Sequence, residues 1–391
     1  MSVTAPVNPA APARPLTDGP AGGSADGLAD GLAELARSAE EADRTGEPDL
    51  AAVAVLRRTG LLGLAVPRRF GGAGADAVEL NRRVAQVAAV NASASIMLFQ
   101  HYAVTSRIVE QGTEDQHREL LPKLASGEWL AASAWSESGA GANKKNLSTT
   151  ARRLPSGDWL LDGAKSFTTS AGIADVYLVL AQSEDPGEST APDTGYGAAG
   201  QTFYLVRSGN PGLRPDTSLR LTGMRGSATG FVSLHGCRVP DRDRLGPVGA
   251  AASIIARVRE SGATLGAVAV GLAQAALDAA ADQAARRGLL AQQSVRHWLV
   301  DLTTRVEAAR AVVERAGRRD APDPGMATLH SKLFASVCAE EVCAEAARML
   351  GSAGYVETHP VNRCGRDARA VALMGPTNDL CRELVSLSWN S

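Results

Sequence analysis

The spacing of apolar residues changes twice along the chain, and this succession is what most limits the folds open to it. From about residue 26 to 127 apolar residues recur three and four apart, as at Leu28 and Leu32, which is the spacing of an amphipathic helix. Between about 128 and 243 the period shortens to two, which is typical of half-buried strands. From Val248 onward helical spacing returns. The pattern therefore predicts an α–β–α succession that ends in a helical bundle.

This succession predicts an α+β fold built of four parts. They are a flexible N-terminal arm (1–25), a helical domain (26–127), a middle β domain of barrel or sandwich type (128–243) and a C-terminal four-helix bundle (244–391). The arm is rich in Pro, Ala, Gly and Ser and has no apolar signal core, so we expect no secretion signal there.

Single elements follow from local signals. Residues 76–111 predict one or two buried helices, and Thr113 is the predicted N-cap of the next helix. Short runs bounded by turn residues predict strands at 159–163, 176–180, 202–206 and 230–234. The segments long enough for bundle helices are 250–287, 291–317 and 326–350, with 377–389 closing the chain.

Composition excludes several classes of protein. The net charge of −2 provides no large basic field, so we expect no nucleic-acid partner. No apolar run reaches about 18 residues, so we expect no transmembrane helix and no membrane partner. Aromatic residues make up only 4% of the chain while Ala, Leu and Val are abundant, which favours helices. The five cysteines are odd in number and scattered, as reduced thiols of a cytoplasmic protein would be.

Seven short motifs in a fixed order then point to one family. Residues 136–141 read Ser-Glu-Ser-Gly-Ala-Gly and residues 163–170 read Gly-Ala-Lys-Ser-Phe-Thr-Thr-Ser. The others lie at 60–67, 70–74, 112–128, 221–240 and 354–367. Together they resemble the acyl-CoA dehydrogenases along nearly the whole chain from about residue 50. One such match would be weak, but seven in the right order favour the assignment. The resemblance implies FAD as cofactor, an acyl substrate and a homodimer or homotetramer.

The resemblance also implies which residues contact FAD. Trp135 and Ser136 would serve the pyrimidine edge of the flavin, Thr169 would lie near N5, and Phe167 would offer a ring face. Gly141 and Ala142 fall in the flavin-contacting loop. Arg287 and Gln293 match residues that reach the FAD of a neighbouring subunit. The remaining matches, at the ADP half, are Arg348, Gly351, Thr377 and Asn378.

The chain departs from the family where the substrate would react. In relatives a tyrosine, a glutamate, a glycine and a threonine stand in a row, and the glutamate is the catalytic base. Gly375 occupies the place of that glutamate and can accept no proton. Gly262 stands where an arginine usually lies beside the thioester. Two further departures concern the cofactor: Ala142 replaces a serine, and the turn after Arg287 is shortened.

A relocated base is one hypothesis for this loss. Some relatives carry the base on a bundle helix, and counting back from residues 271–274 puts that position at Ser261. Glu260 is one residue away, a rotation of about 100° on a helix, which a local bulge could compensate. The alternative is that Glu260 is a solvated surface residue.

Three functions remain open at this point. The first is a FAD-dependent oxidoreductase of specialised metabolism that acts on a non-standard acyl thioester, carried on coenzyme A or a carrier protein, and passes electrons to an acceptor flavoprotein. The second is a monooxygenase of the same fold, which uses reduced flavin from a flavin reductase and needs no carboxylate near N5. The third is a non-catalytic flavin-binding homologue, because fold alone does not decide activity.

Overall fold

A computed structural model describes residues 25–139, 146–184 and 198–389 of the chain. Its α-helices are α1 (Ala25–Thr45), α2 (Leu50–Arg58), α3 (Ala77–Val90), α4 (Ala92–Gln111), α5 (Glu114–Ser126), α6 (Ala251–Glu260), α7 (Gly266–Arg286), α8 (Gln293–Arg318), α9 (Pro324–Leu350), α10 (Pro360–Leu373) and α11 (Asn378–Ser386). Its strands are β1 (Ala131–Ala134), β2 (Thr150–Arg153), β3 (Trp159–Thr168), β4 (Val176–Ser183), β5 (Gln201–Arg207), β6 (Leu213–Asp216), β7 (Gly230–Val239) and β8 (Arg244–Leu245).

Side-chain caps set where the N-terminal helices begin. Asn91 ends α3 and caps α4, since its side-chain oxygen accepts a hydrogen bond from the Ala94 N–H. The segment 76–111 therefore forms two helices rather than one. Thr113 is the N-cap of α5, as predicted, and forms a capping box with Gln116.

The strands form one mixed sheet in the order β6-β7-β3-β2-β4-β5-β8, with β1 pairing with β4. β1 and β2 both run parallel to β4 and lie end to end along one edge of it. β1 pairs with the first half of β4, and β2 pairs with the last two residues of β4. Long antiparallel pairing of β3 with β7 and of β4 with β5 completes the sheet. The end of β1 and the end of β3 are thereby brought to the same side of the β domain.

Helices α7, α8, α9 and α10 pack as the C-terminal bundle, and α3 packs against α7 from the N-terminal side. The close approach of α3 and α7 depends on Gly271, because a Cβ there would lie 2.2 Å from the Ala85 carbonyl oxygen. The predicted α+β fold, with an N-terminal helical part, a middle β part and a C-terminal bundle, is confirmed.

One element differs from the sequence-based expectation. The segment 250–287 is not a single bundle helix but the two helices α6 and α7, separated by a turn at Gly262. Gly262 has φ +77°, and a Cβ there would lie 2.6 Å from the Ala316 carbonyl oxygen. Asn81 fixes this turn from α3, since its amide donates to the Gly262 carbonyl at 2.9 Å and accepts from the Thr264 N–H at 3.1 Å.

Across the described ranges, no helix is long and apolar enough to span a membrane. The same part of the chain holds no group of three or more His, Cys, Asp or Glu residues placed to hold a metal ion. All five cysteines are buried free thiols.

Candidate functional site

A cavity of about 580 Å³ lies where the β domain meets α4, α6, α10 and α11. Its walls come from the ends of β1 and β3, the segment 219–229, and the segment 366–377. The cavity brings together six of the residues singled out in the sequence, namely Trp135, Ser136, Phe167, Thr169, Gly375 and Thr377.

Phe167 presents its ring to this cavity because β3 is irregular at that point. The register of β3 on β7 shifts between Lys165 and Thr168, as at a β-bulge, and Phe167 has φ +52°. A positive φ is uncommon for a bulky residue and marks a local constraint. The side chain is 63% exposed although its neighbours Ser166 and Thr168 are buried. The bulge thus turns an aromatic face toward the cavity rather than into the sheet.

A chain of hydroxyl groups ends at Thr169. Ser227 and Thr229 lie 2.8 Å apart through their side-chain oxygens, and the Thr229 hydroxyl donates to Thr169 Oγ1 at 3.3 Å. A hydroxyl that accepts one hydrogen bond keeps its own hydrogen for donation. Thr169 is therefore prepared to donate a hydrogen bond into the cavity.

Two buried polar atoms beside the cavity have no hydrogen-bond partner among the described residues. They are Trp135 Nε1 and Ser166 Oγ. An unpaired buried polar atom costs about 1–3 kcal/mol, so a ligand that pairs with it gains affinity. The carbonyl and ring-nitrogen edge of an isoalloxazine supplies such partners, and the Phe167 face suits its ring system. The residues present therefore fit a flavin.

A buried ion pair joins the two segments that carry these groups. Lys165 Nζ lies 2.6 Å from Glu137 Oε1, and the Glu137 carboxylate also accepts from the Ser148 N–H, the Ser148 hydroxyl and the Thr149 N–H. Burial on its own would raise the pKa of Glu137, but Lys165 and these hydrogen bonds together lower it to about 2. The pair holds the Trp135–Ser136 segment against β3, where the Ser166 N–H donates to the Ser136 carbonyl at 2.8 Å.

The segment 219–229 is held in place from α10. The Asp367 carboxylate accepts a hydrogen bond from the Met224 N–H, and Arg366 donates to the Thr222 carbonyl at 3.2 Å. Arg366 also forms an ion pair with Asp43 of α1. Burial raises the pKa of Asp367 to about 7. The N-terminal helical part, the β part and the C-terminal bundle thus all contribute to the cavity wall.

Comparison with known proteins agrees with this geometry. Models of the N-terminal, middle and C-terminal domains of acyl-CoA dehydrogenases match residues 31–128, 132–237 and 252–388. A relative from Bacillus subtilis (strain 168) named acyl-CoA dehydrogenase is 32% identical over 362 residues, covering 90% of this chain and 93% of the relative. The chain belongs to the acyl-CoA dehydrogenase family.

A second relative and a solved structure carry more specific names. A Pseudomonas fluorescens protein named L-prolyl-[peptidyl-carrier protein] dehydrogenase is 31% identical and covers 85% of this chain and 88% of its own length. The structure of butyryl-CoA dehydrogenase from Megasphaera elsdenii superposes with a TM-score of 0.83 at 27% identity, over 94% of this chain and 98% of that one. The protein is accordingly a flavin-dependent oxidoreductase of the acyl-CoA dehydrogenase type, with FAD as its cofactor.

Most of the other residues expected to contact FAD are either exposed away from the cavity or outside the described ranges. Arg287, Gln293, Arg348 and Gly351 are exposed and do not line the cavity. Arg348 pairs with Glu345 on its own helix at 2.7 Å. Gly141 and Ala142 lie outside the described residues. Within this chain, the four exposed residues therefore lie apart from the cavity.

Asn378 differs most from its expected role. Its side chain is buried, and Oδ1 accepts hydrogen bonds from Lys332 Nζ at 2.6 Å and from the Ser336 hydroxyl at 3.0 Å. This oxygen is thus engaged within the bundle and does not face the cavity lining. Its neighbour Thr377 does line the cavity, and its hydroxyl caps α11 by accepting from the Leu380 N–H at 3.2 Å.

The structure does not bring Glu260 or Gly262 to Gly375. Glu260 is exposed and lines a separate cleft of about 830 Å³ between α3, α6 and α8. Its backbone carbonyl accepts from Arg319 at 2.8 Å. Gly262 is buried in the turn described above, where its backbone leaves no room for an arginine. On α6 it is Arg259 that lines the flavin cavity, and this placement argues against a relocated base at Glu260.

Sequence reasoning missed three residues of the site. Ser166 and Thr229 lie inside the motifs 163–170 and 221–240, so their position in these motifs could have indicated them. Arg259 had no such signal, because only the helical phase of α6 decides which of two adjacent residues, Arg259 or Glu260, faces the cavity.

Proposed function

We propose that the protein oxidises a non-standard acyl thioester, carried on coenzyme A or on a carrier protein, with FAD as electron acceptor. The observation that carries this proposal is a flavin-type cavity with Gly375 at the family's base position and, among its described lining residues, no Asp or Glu. Oxidation of a straight-chain acyl-CoA begins with loss of an α-proton to a base. A cavity without that carboxylate is suited to a substrate that does not depend on it.

The residues on the cavity wall have distinct proposed roles. Bound FAD would accept a hydride from the substrate, and the proton released in the same oxidation would pass to solvent. Thr169 would orient the flavin through the hydroxyl chain from Ser227, and Phe167 would cover one ring face. Trp135 and Ser166 would pair with the polar edge and exclude water there. Thr377 and the N-terminus of α11 would face the remaining part of the cofactor.

A carrier-protein substrate is supported by the prolyl-carrier-protein dehydrogenase among the relatives. Placement in specialised metabolism, with an electron-acceptor flavoprotein as partner, belongs to the same proposal. The five buried free cysteines agree with a reducing, cytoplasmic compartment.

A monooxygenase of the same fold is the second candidate, and the same lack of described carboxylates favours it. Such an enzyme would use reduced flavin and O₂, place one oxygen atom in the substrate and release the other as water. It needs no protein carboxylate to remove an α-proton. A flavin reductase would then be the partner in place of an electron acceptor.

One experiment separates these candidates. The FAD-loaded protein is mixed without oxygen with a panel of acyl thioesters, each attached either to coenzyme A or to a carrier protein. Bleaching of the oxidised-flavin absorbance by any thioester would support the oxidoreductase. Bleaching by none, together with substrate-dependent O₂ uptake when reduced flavin is supplied, would favour the monooxygenase. If neither occurred, the non-catalytic alternative would stand.

We further propose that the protein is a homodimer or homotetramer. Arg287 and Gln293 are exposed at the α7–α8 junction, so they would reach an FAD diphosphate only in a second subunit. Exposed apolar side chains on and beside α8 and α9 agree with a covered face, namely Leu290, Val300, Phe334 and Val337. Light scattering at micromolar concentration tests this, and a monomer would contradict it.

A further inference from the structure

The charged side chains described on the cavity wall are all positive. Four arginines line it, namely Arg220, Arg259, Arg366 and Arg369. Within the described part of the chain, no Asp or Glu lines the same cavity. A cavity with this lining creates a positive potential, and its apolar walls strengthen any charge interaction inside it.

These arginines differ in what they already contact. Arg366 is engaged, since it pairs with Asp43 and donates to the Thr222 carbonyl. For Arg220, Arg259 and Arg369, the described residues supply neither an ion pair nor a hydrogen-bond acceptor. Arg220 and Arg369 are exposed, so water can solvate them. Arg259 is half-buried and its Nε is buried without a partner.

Arg259 lies on the face of α6 that forms the cavity wall. Ile255 and Val258 line the cavity from the same face, and Gly375 and Pro376 line it from the segment before α11. Where relatives place a carboxylate, Gly375 offers none. Among the described residues, Arg259 therefore has no acidic partner on the cavity wall that it shares with Gly375.

Leaving a half-buried guanidinium without an acceptor is costly, whereas a carboxylate can accept two parallel hydrogen bonds from it. The wall also carries apolar side chains that suit a short methylene chain, as at Phe99, Leu221, Met224 and Leu373. We infer that the acyl group of the substrate carries its own carboxylate, which Arg259 binds. This inference rests on the proposed function and names the substrate class for that site.

FAD is itself an anion through its diphosphate, so the test must separate cofactor from substrate. It uses the FAD-loaded protein and pairs of acyl thioesters of equal length on pantetheine, which is uncharged. One member of each pair is a monocarboxylic acyl group, and the other is the half-thioester of the corresponding dicarboxylic acid. Perturbation of the flavin absorbance spectrum gives a Kd for each, and the readout is the ratio of the two.

The dicarboxylic member should bind about 10- to 100-fold more tightly, as a charge-assisted hydrogen-bonded pair predicts. Arg259→Met should reduce this ratio to about 1, while Arg259→Lys, which keeps the charge, should retain part of it. Arg257→Met is the matched control, because Arg257 lies on the same helix but lines the separate cleft and donates to Gln111. Its ratio should equal that of the parent protein.

The outcomes are distinguishable. Equal Kd values for both members of every pair would overturn this inference and leave the proposed function standing. Loss of FAD from Arg259→Met, with an unchanged ratio in the reloaded protein, would assign Arg259 to the cofactor and also overturn the inference. If no thioester of either kind perturbed the flavin, both the proposed function and the inference would fail.

Discussion

Lys332 Nζ lies 2.6 Å from Asn378 Oδ1, and the same ammonium donates to the Ala372 carbonyl at 3.1 Å. Lys332 is 3% exposed, and burial lowers its pKa to about 8. One side chain of α9 thus holds both ends of the segment 373–377, which carries Gly375. We therefore expect this contact from the bundle to position the segment in the cavity wall.

Lys332→Met should loosen that segment while keeping most of the buried volume. The variant loses two hydrogen bonds from a charged donor, so we expect about 2–4 kcal/mol less stability toward denaturant and an FAD Kd raised about ten-fold. Ser336→Ala is the matched control, because it removes a neutral donor, shared between Asn378 Oδ1 and the Leu333 carbonyl, and leaves both Lys332 contacts in place. It should cost about 1 kcal/mol and leave FAD binding unchanged. Unaltered FAD affinity in Lys332→Met would show that the contact does not position the segment.

The Glu137–Lys165 pair gives a second prediction. Lys165→Met leaves a buried carboxylate without its partner, which typically costs about 3–5 kcal/mol. We expect a large drop in the denaturant midpoint and loss of FAD on gel filtration. The double variant Glu137→Gln/Lys165→Met removes both charges and should recover part of the stability. A single variant as stable as the parent would mean that the pair does not hold the Trp135–Ser136 segment to β3.

Asp367 makes stability depend on pH. Burial raises its pKa from 3.8 to about 7, against the opposing effects of the Met224 N–H, Arg363 and Arg366. A carboxyl whose pKa is raised by folding favours the folded state below the unfolded pKa, and this contribution is lost as the pH rises through about 7. Asp367→Asn keeps an acceptor for the Met224 N–H but cannot ionise. The free energy of unfolding of the variant relative to the parent should therefore rise by about 1–3 kcal/mol when the pH is raised from 5 to 8.

Denaturation of both proteins at the two pH values measures this difference. Asp301→Asn, at an exposed position on α8, is the control and should show no such gain. An Asp367→Asn gain that is equal at pH 5 and pH 8 would contradict the raised pKa.

A structural feature could be predicted from the sequence where it depends on contacts between residues that are close along the chain. Thr113 caps α5 together with Gln116, three positions away, so its role is visible in the local sequence. The break between α6 and α7 depends on Asn81, which is 181 positions from Gly262, and no local pattern contains that contact. The spacing of apolar residues in 250–287 correctly predicts helical structure. It does not show where the helix must end so that the chain can pack against α3 and α8.

In the candidate site too, features that depend on contacts between distant residues could not be predicted from the sequence. Phe167 and Thr169 were found because their motif is contiguous, whereas the hydroxyl chain from Ser227 and Thr229 depends on the pairing of β3 with β7. Asn378 stands at a matching motif position, yet its side chain turns to Lys332 on another helix. Spacing alone does not decide between such alternatives, because each depends on which surface of an element is covered.

Glu260→Gln tests the relocated base. Glu260 is exposed and lines the cleft of Asp76, Glu110 and Arg257 rather than the cavity of Gly375. We expect turnover of any active thioester to stay within about two-fold of the parent, as for a surface substitution. Loss of turnover by 10²-fold or more, roughly the value of a general base, would restore Glu260 as the base and imply that α6 rotates when substrate binds.

Gly375→Glu tests whether the missing carboxylate limits the chemistry. The parent protein should turn over butyryl-, octanoyl- and palmitoyl-CoA only slowly with an artificial electron acceptor, because no described cavity residue can take the α-proton. Gly375 is exposed, lines the cavity and has no positive φ, so a side chain there meets no left-handed backbone strain. The variant should turn over such substrates at least about ten-fold faster, within the roughly 10²–10⁴-fold range of general-base catalysis. Gly375→Gln has the same shape without a basic group and should show no gain. Parent activity equal to that of a working acyl-CoA dehydrogenase would show that a base exists elsewhere, and a gain in Gly375→Gln would show that filling the cavity, not proton transfer, limits the rate.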